Sequence, residues 1–287
     1  MPIGSDHVKF IRAIFDQLKR QKPERPPRRG VLADTLRAKI KNPAKGSEFT
    51  LMPVEAALFG SAAVEMWLRA VHSFLISNSV MKASPIWSSV AGYYSSHYVM
   101  RAFSHILGHF LLVRDHLAVQ VKLQNGGYSC VSKKSSPTEH QYYWRLPEIE
   151  LGSAGNALFS ANKQIKDFKS EWTDASHRVF ANYFDHINSF TNFEPVNEDY
   201  LRIRIEQLSD LVTDSPALPD HNKYPDLDSV HLIAYARIVE FRACMDNVVG
   251  IKHKHWAYFR EPTWFTKYMD FQVPGGSAAS TLSTITV

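Results

Sequence analysis

The chain has 287 residues, 45% of them hydrophobic and 12% aromatic, which is enough to bury the core of one large domain or two small ones. Its net charge of +5 favours an acidic partner only weakly, because the distribution of charge matters more than its sum. The two cysteines, Cys130 and Cys244, exclude a disulfide framework and a four-thiolate zinc site.

The expected compartment follows from two features of the sequence. Two isolated thiols are typical of a reducing compartment. Residues 1–15 lack the long apolar stretch of a signal peptide, and the sequence contains no run of 18 or more apolar residues. We therefore expect a cytoplasmic protein that makes no membrane contact.

Residues 1–49 are predicted to form an N-terminal helix followed by a basic arm. The helix is indicated by apolar residues that recur with helical period up to about residue 20. Residues 19–45 then carry ten Lys or Arg against two acidic residues, and their prolines forbid one continuous helix. Such a stretch is either a solvated, mobile arm or an arm that follows the phosphates of a nucleic acid. In the second interpretation the phosphate contacts are Arg25, Arg28 and Arg29.

Residues 50–116 are predicted to form an antiparallel hairpin of two helices. The first helix covers 53–79, begins at a proline and carries small residues that allow close packing. The second begins near Pro85 and continues to about Val113. A short polar turn joins the two helices, as is usual for antiparallel neighbours.

Residues 117–152 change character and predict a small β-insertion. LAVQVKL alternates in hydrophobicity, NGG is a strong hairpin turn, and both YSCVSKK and QYYWRLPEIEL are expected to be extended. Helical spacing returns over 153–272, the C-terminal part of the same bundle, and the tail 273–287 is expected to be disordered. The predicted fold is mainly α, a helical bundle with a small β-hairpin insertion.

Four polar residues follow one another at four-residue intervals in the second helix of the hairpin: His97, Arg101, His105 and His109. This spacing places neighbours on one helical face. Each step advances by about 400°, so the row turns by about 40° per step and His109 ends about 120° away from His97. A cluster of the first three residues, which we call the ladder, is therefore favoured. The hydroxyl of Tyr94 lies on nearly the same face.

The ladder has two interpretations. It is either part of a site or a satisfied polar network in the core, because an unsatisfied buried polar group costs about 1–3 kcal/mol. In the second case Arg101 pairs with Glu55 or Glu65 of the preceding helix. The spacing of His105 and His109 also suits two metal ligands, but the helix offers no third ligand and we expect no metal.

Other chemistry-bearing motifs are few. The sequence has no glycine-rich phosphate loop, dinucleotide fingerprint or serine-hydrolase elbow, so no cofactor is predicted. We expect Cys130 to be incidental and Cys244 to lie in the core. The run that starts at residue 252 interleaves cations with an aromatic residue, and it either binds phosphates and a base or simply ends a helix with favourable charge. In the first case the nucleic-acid contacts are Lys252, Lys254 and Trp256.

Residues 91–103, AGYYSSHYVMRAF, resemble the central helix of the HEPN (higher eukaryote and prokaryote nucleotide-binding) superfamily. There, a small residue and a Tyr-Tyr pair precede an aromatic residue or His, then a basic residue and Ala. The preceding helix is compatible with the first long helix of that family, so the resemblance covers about residues 53–115. It implies an up-and-down helical bundle, often dimeric, of the kind found in toxin–antitoxin, CRISPR and antiphage systems.

Catalytic members of the family are metal-independent endoribonucleases. Their signature is an Arg followed by a His after four to six intervening residues, brought together across a dimer interface. The His suits proton transfer, and the Arg stabilises negative charge at the phosphate. In this chain three residues separate Arg101 from His105 and seven separate it from His109, so the usual spacing is missing.

The resemblance implies an RNA-directed protein of a bacterial defence or toxin–antitoxin module. Two alternatives follow from it, and a third rests on the basic arm alone. The first is a metal-independent ribonuclease, expected as a homodimer. The second is a non-catalytic HEPN-like subunit that binds RNA or a second protein, and the third is an unrelated helical adaptor whose basic arm binds nucleic acid or an acidic protein. In the first alternative the site residues are Arg101, His97, His105 and Tyr94.

Overall fold

The structure, a computed structural model, describes residues 3–21, 29–42, 47–80, 85–135, 138–151, 229–250 and 252–253, with the single positions 207, 210 and 223. Within these residues the chain is mainly α-helical and contains one four-stranded antiparallel sheet. Two compact units are present. The first consists of Met1–Leu68, His97–Ser160 and Phe241–Phe259, and the second of Arg69–Ser96, Ala161–Glu240 and Arg260–Val287.

The helices have the following bounds: α1 Ser5–Gln21, α2 Arg29–Lys39, the single turn α3 Pro53–Ala56, α4 Leu58–Val80, α5 Pro85–Ile106, α6 Glu139–Leu151 and α7 Ser229–Met245. A π-helical turn, Asp246–Gly250, follows α7. No helix in the described ranges is long and apolar enough to span a membrane.

The sheet has the strand order β1-β4-β3-β2, from β1 Ser47–Leu51, β2 His109–Leu112, β3 Leu117–Gln124 and β4 Gly127–Lys134. The predicted hairpin turn is present between β3 and β4. Asn125 and Gly126 have φ values of 48° and 78°, as a tight two-residue hairpin turn requires. Alternate side chains of β3 are buried, including Leu117, Val119 and Val121, so one face of the sheet packs on the core of the first unit.

The two long helices α4 and α5 run antiparallel where they contribute to the second unit. Ser95 Oγ of α5 donates to the Ala70 carbonyl of α4 at 2.8 Å. Seven residues further along α4, Ser77 Oγ donates to the Ser88 carbonyl at 2.7 Å, and Ser88 Oγ donates back to the Ser77 carbonyl at 2.8 Å. Pairing that advances along one helix and recedes along the other is the signature of an antiparallel hairpin with close backbones.

One predicted helix ends earlier than expected, and one segment predicted as extended is helical. The ladder helix ends at Ile106, not near Val113, because Gly108 adopts a φ of 84° and its carbonyl accepts the Val121 N–H at 2.8 Å. The chain then enters β2. The segment QYYWRLPEIEL is helical, in α6, not extended, and its Tyr143 and Trp144 are buried through tertiary packing despite the β propensity of aromatic residues.

Part of the basic stretch is a packed helix. Residues 29–39 form α2, whose Leu32 and Leu36 are fully buried. The remainder of the predicted mobile arm between α1 and α2 lies outside the described residues, as do most of 152–228 and the tail 273–287. Pro53 begins the single turn α3 instead of one helix over 53–79, since α4 starts only at Leu58.

Candidate functional site

The ladder faces α6. Arg101 Nη2 lies 3.0 Å from Glu139 Oε1, and Arg29 Nη2 of α2 lies 3.6 Å from the same oxygen. Arg101 therefore pairs with neither Glu55 nor Glu65. Glu55 Oε1 pairs with Lys39 Nζ at 2.9 Å, and Glu65 accepts a hydrogen bond from the backbone N–H of Arg29.

Arg101 is buried, with 8% of its surface exposed. Burial and the nearby Arg29 guanidinium lower its pKa. Its guanidinium carbon lies 5.4 Å from the centre of the Tyr143 ring, a cation–π distance, and its Nε has no hydrogen-bond partner among the described residues. The ion pair and the aromatic contact compensate for much of the cost of burying this charge.

His105 is fully buried at the end of α5. Its Nδ1 lies 2.9 Å from the carbonyl oxygen of His109, so Nδ1 carries the proton, because a carbonyl can only accept. The ring stacks on Phe110 at 5.1 Å and meets Tyr143 edge-on at 5.6 Å. Burial, followed by the charge of Arg29, places the pKa of His105 well below the usual value, so the ring is neutral at neutral pH.

His97 completes the cluster of three. It is 1% exposed and stacks on His140 of α6, with ring centres 4.2 Å apart and planes at 28°. Its ring centre lies 6.4 Å from that of Tyr143. All three ladder residues thus contact Tyr143, which the sequence reasoning missed.

Tyr143 holds this arrangement through its hydroxyl. The ring is fully buried, and the hydroxyl accepts the backbone N–H of Leu111 in β2 at 3.0 Å. Since β2 is an edge strand, this bond satisfies a donor that no further strand would take. The run QYYW is rich in aromatic residues, which is a signal for such a role. The role can be inferred from it only once α6 is known to pack on the ladder.

Tyr94 and His109 have separate surroundings. Tyr94 is half-buried in the second unit, where its ring meets Tyr93 edge-on at 5.5 Å. His109 begins β2 and contacts Glu150, with Nε2 3.0 Å from Oε1. As expected, His109 does not lie with the other members of the row. The reason is that the helix ends before His109, not that His109 is rotated around the helix.

The predicted nucleic-acid contacts are only partly described. Arg25, Arg28, Lys254 and Trp256 lie outside the described residues. Arg29 pairs with Glu139, and 23% of its side chain is exposed. Its guanidinium carbon lies 4.7 Å from the centre of the Phe110 ring. Lys252 is exposed and follows the π-helical turn.

That turn packs along α1. Arg12 Nε donates to the Val248 carbonyl at 3.0 Å, and the Phe15 ring meets the His253 ring edge-on at 5.6 Å. Lys19 lies four residues after Phe15, one helical turn along, and is exposed together with Arg20. The Lys252 run therefore begins beside α1, about one helical turn before the start of the basic stretch. We call Lys19, Arg20 and Lys252 the α1 cations.

Metal and thiol chemistry find little support in the described part of the chain. No three His, Cys, Asp or Glu side chains there are grouped so that they could hold a metal ion. Burial raises the pKa of the Cys130 thiol to about 12, so it is not a nucleophile at neutral pH. Cys244 is buried, 4% exposed, in α7.

Comparison of this chain with protein-family models, with curated proteins and with solved structures finds no match. The HEPN resemblance therefore rests on the residues quoted for it.

Proposed function

We propose that this chain is a HEPN-like, RNA-directed protein of a bacterial defence or toxin–antitoxin module that binds RNA, and that its ladder is a structural network. The observation that carries the proposal is the contact between Phe15 of α1 and His253, since Lys252 then lies beside the helix that also carries the exposed Lys19 and Arg20. Exposed cations near such a contact are candidate partners for the phosphates of an RNA backbone. The proposal includes assembly of the chain as a homodimer or with a second protein subunit.

The burial of the ladder supports binding over cleavage by these residues. A general acid or base must reach the proton it transfers, at about 2.6–3.2 Å from the substrate atom. His97 and His105 are 1% and 0% exposed, and Nδ1 of His105 is engaged by a backbone carbonyl. Such groups fix the packing of α5 against α6 and the sheet.

One observation favours the ribonuclease alternative. Arg29 and Arg101 share a single carboxylate oxygen of Glu139, and the Nε atoms of both arginines lack hydrogen-bond partners in the described structure. Glu139 lies in the first turn of α6 with 27% of its side chain exposed. Movement of this carboxylate would leave two guanidinium groups for a phosphate, with His97 and His140 beside them.

The salt dependence of RNA affinity tests the binding proposal. The triple variant Lys19→Gln, Arg20→Gln and Lys252→Gln removes three candidate phosphate contacts. The slope of log affinity against log salt should then fall by about 2 for a single-stranded RNA, at about 0.7 per contact. The matched control is Lys133→Gln with Lys134→Gln, exposed lysines of β4, which should leave the slope unchanged. Equal slopes for wild type and the triple variant would overturn the assignment of this surface.

A cleavage assay separates the two candidate functions. Incubation of RNA with wild type in the presence of a chelator should give no cleavage if the ladder is structural. Metal-independent cleavage that disappears in Arg101→Lys, while the fold and RNA affinity persist, would establish the ribonuclease alternative and contradict a purely structural ladder.

A further inference from the structure

A second cluster of titratable side chains surrounds Glu150 near the C-terminal end of α6. Glu150 Oε1 lies 3.0 Å from His109 Nε2, and Oε2 lies 3.6 Å from His7 Nε2. The Gln120 amide nitrogen lies 3.4 Å from both Glu150 Oε1 and His109 Nε2. One carboxylate thus meets side chains from α1, β2 and β3 at once.

The cluster borders a cavity of about 320 Å³. His7 and Glu150 line it, with 24% and 19% of their side chains exposed, whereas His109 is 7% exposed and lies behind the carboxylate. Asp6 and Lys122 also line it, so its walls carry both signs of charge. These walls select no single ligand charge, but they give protons from solvent access to the Glu150–His7 contact.

We propose that Glu150, placed between His109 and His7, is an acid-sensitive latch that fastens the C-terminal end of α6 to α1 and to the sheet. In the closed state the carboxylate is ionised and accepts the N–H of His109. His7 closes the other side from α1. Proton uptake by the cluster releases this end of α6, independently of any RNA.

The pKa values of His7 and Glu150 are both lowered in the fold. Burial lowers the pKa of His7, although the Glu150 carboxylate and Asp6 act to raise it, while His109 and Lys122 act with burial. The hydrogen bond from His109 lowers the pKa of Glu150 and outweighs burial, which acts to raise it, and the charge of Lys122 acts with the hydrogen bond. Each group therefore prefers the deprotonated form in the fold.

The latch stabilises the fold at neutral pH and weakens in acid. A histidine with a lowered pKa contributes stability above its unfolded pKa of about 6.5 and loses it progressively as the pH falls below that value. A glutamate with a lowered pKa contributes above its unfolded pKa of about 4.3 and loses that contribution as the pH falls through its folded value. Acid therefore opens the latch in two steps, His7 first.

Amide hydrogen exchange of the whole wild-type chain tests the latch directly. Peptides covering 145–151 and the first two turns of α1 should lose protection between pH 7.5 and pH 5, after correction for the intrinsic exchange rate. The expected loss of protection is about tenfold for each unit by which the pKa of His7 in the fold lies below its unfolded value. Peptides of α2, which has no part in the cluster, are the internal reference. Equal changes in α2 and in the end of α6 would overturn the proposal.

Variants test the same claim through stability. Glu150→Gln and His7→Gln should melt at lower temperature than wild type at pH 7.5. For His7→Gln this difference should shrink as the pH approaches 5, whereas for Glu150→Gln it should shrink only below about pH 4.3. Glu48→Gln, an exposed carboxylate of β1, is the matched control and should keep a constant offset. A difference between His7→Gln and wild type that is the same at pH 7.5 and at pH 5 would contradict the latch. If a variant fails to fold, the exchange measurement on wild type decides the question.

Discussion

The Arg101 guanidinium lies 3.0 Å from the Glu139 carboxylate, and this ion pair joins the ladder helix α5 to the first turn of α6. Arg101 is buried, whereas Glu139 retains 27% of its side-chain surface. A buried cation is retained in a core only with a partner, since an uncompensated charge there is costly. The position of α6 therefore explains why an arginine is accommodated in an apolar helix.

Glu139→Ala should destabilise the fold by leaving Arg101 without this carboxylate. Breaking a buried ion pair costs about 3–5 kcal/mol, and the partial exposure of Glu139 reduces this to about 2 kcal/mol. Chemical denaturation measures the free energy of unfolding. Adding Arg101→Met to Glu139→Ala should recover part of the loss, because it removes the uncompensated charge.

The control for this experiment is Arg145→Ala, an exposed cation on the same helix, which should change the free energy of unfolding by less than about 0.5 kcal/mol. If Glu139→Ala is as mild as that control, Arg101 does not depend on Glu139.

The His105 ring should remain neutral to well below pH 6.5, with its single N–H proton on Nδ1. Burial lowers its pKa, and the His109 carbonyl fixes the tautomer. Its contribution to stability is present above about pH 6.5, the unfolded pKa, and falls in acid. Nitrogen chemical shifts of the ring report both the charge and the tautomer. An imidazolium at pH 6, or a proton on Nε2, would disagree with the observed packing.

Tyr143→Phe should cost about 1–2 kcal/mol. The substitution keeps the ring that contacts all three ladder residues but leaves the Leu111 N–H without its acceptor. Tyr142→Phe is the matched control on the neighbouring position of α6. Equilibrium unfolding of both variants gives the difference. If Tyr143→Phe lowers the free energy of unfolding no more than Tyr142→Phe does, water replaces the hydroxyl as the acceptor of the Leu111 N–H without cost.

Gly108→Ala should be more harmful than Gly126→Ala. Both glycines have positive φ, 84° and 78°, so both substitutions strain the backbone by about 1 kcal/mol. At Gly108 the added Cβ would also overlap the Val121 carbonyl oxygen, whereas at Gly126 no atom lies within 4 Å. Melting temperatures should fall clearly further for Gly108→Ala, and equal values would exclude a steric role for this close approach.

The local elements of the fold could be read from the sequence where one physical signal dominates. The period of the buried residues in α1 and the Asn125–Gly126 turn depend only on nearby residues. The end of α5 did not, because Gly108 stops the helix together with a hydrogen bond to the Val121 N–H, which is distant in sequence. The strand β1 was missed for the same reason, since its pairing partner is β4.

The candidate site was predictable only in part. The helical spacing placed His97, Arg101 and His105 on one face, and all three meet Tyr143. The partner of Arg101 was expected in the preceding helix. The actual partner, Glu139, lies in α6, most of which the sequence pattern predicts to be extended. Side-chain pairing between elements depends on tertiary packing, which periodicity does not encode.

The most direct test of the RNA-binding surface is to map where RNA touches the full chain. Photo-crosslinking of wild type to a single-stranded RNA, followed by peptide identification, should place crosslinks in the second half of α1 and at residues 252–253, and the α1-cation triple variant should lose them. Crosslinks confined to β4 or α6, unchanged in that variant, would contradict the account.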